Sequence, residues 1–97
     1  MAKAYWLGIY RAVNDPNALA QYAKLAAPAI TAAGGRFLAR GMPAKTLEAG
    51  MDQRTVVVEF ESVARAIAAY ESPAYQAALK LLGNTVVRDI RIVEGVE

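Results

Sequence analysis

The hydrophobic and polar positions change period along the chain, and these changes predict four strands. Residues 4–11 (AYWLGIYR) are apolar at both odd and even positions, which is typical of a central strand covered on both faces. Residues 54–61 (RTVVVEFE) form the strongest strand signal because three β-branched valines follow one another. Residues 36–41 predict a short strand. Residues 86–93 interleave apolar and charged positions, as on a sheet edge.

A long helix is predicted between the first two strands. Asp15 is placed as its N-cap and Pro16 at its first position, and the helix extends to about residue 33. Pro28 predicts a kink or a split near its end, and Gly34 or Gly35 a left-handed stop. The helix has an apolar stripe, on which Tyr22 is interpreted as a packing residue: Leu19, Tyr22, Ala23, Ala26 and Ile30.

A second helical region is predicted between the third and fourth strands. Ser62 caps a helix over about 63–71, and Ser72-Pro73 starts another that ends at Gly83-Asn84. The resulting order, strand-helix-strand-strand-helix-strand, is the split βαβ pattern of an α+β, ferredoxin-like sandwich, with the first and third strands central. At 97 residues we expect one domain over 1–97.

The apolar content is high for a chain of this length. It reaches 56%, against about 45–50% in soluble domains by a count that includes glycine. The helices cover one face of the sheet, and the other still carries apolar side chains. Because exposed apolar patches tend to mark interfaces, we expect a homodimer in which a second sheet covers that face.

Composition also excludes several kinds of chemistry. The chain has no cysteine and no histidine, which removes disulfides, thiolate catalysis, ordinary zinc sites and a Ser-His-Asp triad. The carboxylates show no metal-ligand spacing, and we expect no metal and no cofactor. The net charge is +2 with no basic run, so nucleic-acid binding is not indicated, and a covered sheet face would also argue against it.

Membrane insertion is not predicted either. The Ala-rich stretch over 16–33 is interrupted by Gln21, Lys24 and Pro28, whereas a span needs about 20 mostly apolar residues. The N-terminal region shows no signal-peptide pattern, so a cytoplasmic location is expected.

Short segments along nearly the whole chain resemble one family. No single segment is specific, but the set occurs in the family's order and spacing: Tyr5-Trp6, Asp15-Pro16, Gly34-Gly35-Arg36-Phe37-Leu38, Arg40-Gly41, Val58-Glu59-Phe60, Tyr70, Ser72-Pro73, Tyr75 and Val93-Glu94-Gly95. On these residues the chain resembles the domain-of-unknown-function 1330 family of the dimeric α/β-barrel superfamily. Met42 departs from the pattern, since the family usually has a second glycine there.

The resemblance implies a homodimer whose two four-stranded sheets close into a barrel with the helices outside. It implies no activity, because the family has none assigned. Related barrel-dimer families include cofactor-independent monooxygenases, haem-degrading enzymes, chlorite dismutases and isomerases. Their haem-binding members typically use a histidine, which this chain lacks, so the resemblance disfavours haem.

Glu59 and Arg40 are the candidate catalytic residues. Glu59 lies in the most apolar strand, where it faces either the helix-covered side or the dimer barrel; desolvation there would raise its pKa and suit it to accept a proton. Arg40 has the planar fork that clamps a carboxylate or phosphate. The structural alternative, which we weight more heavily, is an ion pair of Glu59 with Arg40 or Arg54, or of Arg40 with Glu48.

Aromatic residues predict a ligand pocket. Trp6 and Tyr10 share a strand face, and Tyr70 and Tyr75 flank the Ser72-Pro73 break; with Arg54 they are the candidate ligand-binding residues. The alternative is an ordinary aromatic core.

Two functions remain open: a dimer that binds a small organic molecule and turns it over without a cofactor, or a non-catalytic accessory dimer without pocket chemistry.

Overall fold

A computed structural model describes residues 2–96 of the chain. In this range it has four strands and three helices, in the order β1 Ala4–Val13, α1 Pro16–Ala32, β2 Arg36–Gly41, β3 Thr55–Phe60, α2 Val63–Glu71, α3 Pro73–Leu82 and β4 Val86–Glu94. The strands form one antiparallel sheet in the order β2-β3-β1-β4. The ferredoxin-like α+β prediction is confirmed, with β1 and β3 in the centre.

Alternation along β1 divides the sheet into two faces. Trp6, Gly8 and Tyr10 are buried on the face that packs against the helices, which we call the helix face. Tyr5, Leu7 and Ile9 lie on the opposite, outer face and are only partly buried or exposed. The register of β1 with β3 pairs Trp6 with Val58 and Leu7 with Val57, so β3 follows the same division.

The core lies between the helix face and the three helices. Trp6 is its aromatic centre, with the Tyr75 ring edge-on at 5.0 Å and the Phe60 ring stacked at 6.1 Å between centroids. Such aromatic pairs contribute roughly 0.5–1.5 kcal/mol beyond the area they bury. Small helical residues let α1, α2 and α3 approach the rings closely: Ala26, Ala66, Ala69 and Ala78 are all buried.

The helix ends largely follow the predicted capping residues. Asp15 Oδ1 accepts from the backbone N–H groups of Asn17 (3.0 Å) and Ala18 (3.2 Å), and the hydroxyls of Ser62 and Ser72 cap α2 and α3. The predicted split at Pro28 is wrong, because α1 runs without a break to Ala32. Packing of the α1 stripe against the sheet holds the last turn together despite the lost backbone donor.

The outer face combines apolar side chains with ion pairs. Lys3 pairs with Glu59 at 3.4 Å and Arg91 with Asp89 at 2.8 Å. The same face carries apolar residues that are partly exposed: Leu7, Ile9, Val57 and Val93. In the part of the chain that the structure describes, we find no helix with the length and apolar character to cross a membrane.

Candidate functional site

A pocket lies between the helix face of the sheet and α1. Its cavity volume is about 40 Å³, within a depression of about 410 Å³ that includes the open mouth. Trp6 and Tyr10 of β1 and Phe37 of β2 supply aromatic walls, and Ala26 and Ile30 of α1 supply the opposite, aliphatic wall. A cavity of this size holds a few water molecules, so a bound organic molecule would be small and would extend into the open mouth.

The pocket has room at the middle of β1 because Gly8 carries no side chain there. Gly8 lies at the pocket wall in the middle of β1, where the flanking positions carry Trp6 and Tyr10. A Cβ atom at Gly8 would lie 3.5 Å from both Ile90 Cδ1 and Val56 Cβ, which is ordinary contact. The space therefore depends on which side chains stand here and requires no unusual backbone.

Arg88 of β4 joins three tyrosines at one end of the pocket. Its Nη1 donates to the hydroxyls of Tyr10 (3.0 Å) and Tyr22 (3.2 Å), and its Nη2 donates to the hydroxyl of Tyr75 (3.1 Å). The hydroxyls of Tyr22 and Tyr75 are themselves 2.6 Å apart. One strand and two helices (β1, α1 and α3) thus each place a tyrosine hydroxyl on the Arg88 guanidinium, which fixes this end of the pocket.

The cluster is cationic, and Tyr75 within it stays protonated. Burial raises the pKa of Tyr75 well above its usual range; the neighbouring Tyr22 adds to this, and Arg88 offsets only part of it. Burial alone would lower the pKa of Arg88, but Tyr22, Tyr75 and Tyr10 outweigh it, so the net shift is upward. Arg88 therefore keeps its charge, and Tyr75 is a neutral hydrogen-bonding group at physiological pH.

Two further arginines line the pocket. The guanidinium of Arg40 lies 4.6 Å from the centroid of the Phe37 ring, and that of Arg54 lies 5.9 Å from the Tyr10 ring. Arg40 is exposed, whereas Arg54 is half-buried. The Nε atom of Arg54 is buried, and no hydrogen-bond partner for it occurs within residues 2–96.

Acidic side chains do not take part in lining this pocket. Within the described residues, the ion pairs are the two on the outer face, and neither involves Arg40, Arg54 or Arg88. The same residues contain no cluster of carboxylates arranged to hold a metal ion. The arrangement can orient a small molecule and stabilise negative charge on it, but offers no carboxylate to accept a proton.

The structure does not bring Glu59 together with Arg40. Glu59 lies on the outer face, where one carboxylate oxygen accepts from Lys3 Nζ and the other from the Tyr5 hydroxyl, each at 3.4 Å. Its neighbour across the β2–β3 ladder is Arg36, while Arg40 lies opposite Val56. Among the described residues, Glu59 therefore forms no ion pair with Arg40 or Arg54, and Arg40 forms none with Glu48, so these expectations are wrong. For Glu59 the reason is the alternation along β3, which turns its side chain away from the pocket.

The candidate aromatic residues divide into two groups. Trp6 and Tyr10 line the pocket, as do Arg40 and Arg54. Tyr70 and Tyr75 pack on Trp6 at 5.6 and 5.0 Å between centroids, and they are not among the lining residues. Tyr75 still contributes through its hydroxyl, which holds Arg88.

Two residues of the cluster escaped the sequence interpretation. The apolar stripe of α1 predicts a packing role for Tyr22, yet its hydroxyl also forms hydrogen bonds with Arg88 and Tyr75. Arg88 lies in the segment predicted as a mixed edge strand, and the sequence pattern assigns it no role in the pocket. Alternation could have identified it, since the helix-facing positions of β4 are otherwise aliphatic: Val86, Ile90 and Ile92.

Solved structures share this fold at low sequence identity. A protein of unknown function from Rhodopseudomonas palustris matches with a TM-score of 0.79 and 18% identity, over 99% of this chain and 84% of that one. A dimeric ferredoxin-like protein of unknown function from Thermobifida fusca matches with a TM-score of 0.66 and 19% identity, over 99% and 92% of the two chains. A Caulobacter crescentus protein, for which an antibiotic biosynthesis monooxygenase activity is only suggested, matches with a TM-score of 0.64 and 16% identity, over 99% and 92%.

These likenesses support the fold and leave the activity open. Among curated proteins, none matches the chain. The family comparison is more direct, because one family model covers residues 3–96. The chain belongs to the family described as "Domain of unknown function (DUF1330)".

Proposed function

We propose that this protein is a homodimer that binds a small, partly apolar organic molecule in the pocket between α1 and the helix face of the sheet. The observation that carries the proposal is the combination of aromatic and aliphatic walls with converging polar groups in one partly open cavity. Trp6 and Tyr10 would contact the apolar part of the ligand. Arg40 and Arg54 would contact its polar part.

Binding is a better-supported role than catalysis by the residues of this chain. The ionisable side chains at the pocket are arginines and tyrosines, and the pKa of Tyr75 is raised by burial. A proton acceptor is therefore missing from the pocket-lining residues, since Glu59 lies on the other face. We accordingly assign a binding role and do not carry the Glu59 mechanism forward.

The dimer part of the proposal is supported by the outer face. Leu7 and Val57 occupy its centre, while Ile9 and Val93 remain 36% and 48% exposed. A second sheet would cover these side chains, and the partly exposed ion pairs would lie around them. The dimeric state described for the Thermobifida fusca protein is consistent with this arrangement.

The binding proposal can be tested with one fluorescence assay. Trp6 is the sole tryptophan of the chain and lines the pocket, so its emission reports on occupancy. We expect saturable changes in Trp6 emission, and a raised melting temperature, with a subset of small aromatic and aliphatic metabolites. Ala27→Leu should abolish them by filling the pocket.

A matched variant separates filling of the pocket from a general effect on α1. Ala20 is exposed on the same helix and does not line the pocket, so Ala20→Leu should leave binding intact. The proposal would be contradicted if Ala27→Leu and Ala20→Leu lost binding equally. It would also be contradicted if no member of a chemically diverse metabolite collection bound saturably.

A further inference from the structure

We infer that the ligand of this pocket is a small organic carboxylate, bound with its charged end among the three pocket arginines. The inference rests on the proposed binding function and narrows it to one class of molecule. Arg40, Arg54 and Arg88 all line the same cavity, and they come from three different parts of the sheet: β2, the residue before β3, and β4.

The first argument is the charge balance of the cavity. The lining residues carry three guanidinium groups and no carboxylate. Arginine remains protonated in proteins, so the positive charge cannot be relieved by loss of a proton. Arg54 and Arg88 are partly removed from water, and charges in such positions are normally paired, so a wall of this composition favours an anion and disfavours a cation.

The second argument is the count of unused donors. A guanidinium has five N–H groups, and the three tyrosine hydroxyls use three of those on Arg88, which leaves two. The Nε of Arg54 is buried, with no hydrogen-bond partner among the described residues. An unpaired buried donor is costly, so a ligand oxygen beside Arg54 would satisfy a group that this chain leaves unsatisfied.

The third argument distinguishes a carboxylate from inorganic phosphate. The wall opposite the arginines is aliphatic, formed by Ala23, Ala26 and Ile30 of α1. A carboxylate places both oxygens at one end, toward the arginines, and leaves an apolar body for the alanines. A phosphate would direct oxygens in all four tetrahedral directions, some of them against side chains that offer no donor.

The test compares matched carboxylates and amides. Acetate, benzoate and phenylacetate are titrated against acetamide, benzamide and phenylacetamide, with inorganic phosphate as a further arm, and Trp6 emission reports binding. Each pair has nearly the same shape, so the difference isolates the charge. We expect one or more carboxylates to bind about tenfold or more tightly than the matching amide, with weaker binding at high salt.

Two variants locate the charge that matters. Arg54→Gln should weaken carboxylate binding about tenfold and leave amide binding nearly unchanged. Arg65→Gln removes the same net charge from an exposed position of α2 that does not line the pocket, and it should leave both unchanged.

The remaining outcomes separate this inference from the proposed function. If amides bind as tightly as carboxylates, the pocket binds organic molecules and the carboxylate assignment is overturned. Phosphate binding as tight as that of the best carboxylate would overturn the assignment as well. If neither carboxylates nor amides nor phosphate bind, while unrelated neutral metabolites do, the inference fails and the proposed function stands; if nothing binds, both fail.

Discussion

At the scale of single residues, Arg88 shows how a charge is held beside an apolar core. Its guanidinium is surrounded by the hydroxyls of Tyr10, Tyr22 and Tyr75, which accept from it without neutralising it. Within residues 2–96 no carboxylate forms an ion pair with it. The tyrosines therefore fix the position of Arg88 and leave its positive charge at the end of the pocket.

Tyr75 makes stability depend on pH in the alkaline range. Its pKa is raised in the folded chain by burial, whereas the unfolded chain has the ordinary value of about 10. Below pH ~10 both states hold the proton, and Tyr75 adds no pH dependence. Above that pH the unfolded state releases its proton first, so the free energy of unfolding falls by about 1.4 kcal/mol per pH unit.

We therefore expect Tyr75→Phe to reduce the loss of stability above pH ~10. At pH 7 the variant should be about 1 kcal/mol less stable, because the hydroxyl also binds Arg88 and Tyr22. Urea unfolding of both proteins between pH 7 and about 11.5 measures the two slopes. If the free energy of unfolding fell with pH equally steeply in both proteins, Tyr75 would not be the source of the alkaline loss of stability.

Gly35 is required by close packing at the turn from α1 to β2. A Cβ atom there would lie 2.5 Å from Ile30 Cγ2, 2.8 Å from Phe60 Cζ and 2.9 Å from the Ile30 carbonyl oxygen. We expect Gly35→Ala to lower the free energy of unfolding by about 1–3 kcal/mol, since a backbone oxygen cannot move aside cheaply. Urea denaturation measures the loss.

Gly8→Ala is the matched control for that change. The added methyl would make only ordinary contacts of 3.5 Å with Ile90 and Val56, so stability should be unchanged or raised by about 0.4–1 kcal/mol. Equal losses in the two variants would show that the effect comes from the general cost of replacing glycine and not from the contacts of Gly35.

At the scale of elements, the start of α1 depends on one carboxylate. Asp15 Oδ1 accepts two of the backbone N–H groups that the first helical turn cannot otherwise satisfy. Asp15→Ala should cost about 1 kcal/mol of stability, while Asp15→Asn retains the acceptor and most of the stability. Thermal unfolding of the three proteins at neutral pH measures this, and an Asn variant as unstable as the Ala variant would contradict a capping role.

The elements were predictable because local signals mark their ends. Asp15, Ser62 and Ser72 identify three helix starts, and Gly34, with φ of 98°, supplies one of the stops. Pro28 does not split α1, because its local effect competes with the packing of the whole α1 stripe; the kink stays a prediction. Tertiary contacts decide that competition, and they cannot be read from residues 16–33 alone.

The pocket was predictable only in part because it is assembled from distant residues. Trp6 and Tyr10 are revealed by alternation within one strand. The contact of Arg88 with Tyr22 joins residues 66 positions apart, and it depends on how α1 crosses the sheet. The sequence could not assign Glu59 to one face for a related reason: β3 is apolar on both faces, so its pattern does not show which face packs against the helices.

At the scale of the whole molecule, the two faces of the sheet have different chemistry. The helix face carries the buried aromatic core and the pocket arginines. The outer face carries partly exposed aliphatic residues, together with the ion pairs of Glu59 and Asp89. The proposed ligand site and the proposed dimer interface therefore lie back to back across one layer of strands, and a substitution can alter either one separately.

Leu7 provides a direct test of the proposed dimer. It lies on the outer face of central strand β1, opposite Val57 of β3 and Arg91 of β4. We expect the wild type to sediment as a dimer at micromolar concentration and Leu7→Lys to raise the dimer dissociation constant about 100-fold or more. An unpaired ammonium at the interface costs several kcal/mol, and every 1.4 kcal/mol is a factor of ten. Leu81→Lys on α3, where the leucine is already 46% exposed, should leave the dimer intact. A wild type that sediments as a folded monomer, or a Leu7→Lys variant as tightly dimeric as the control, would contradict the outer face as the interface.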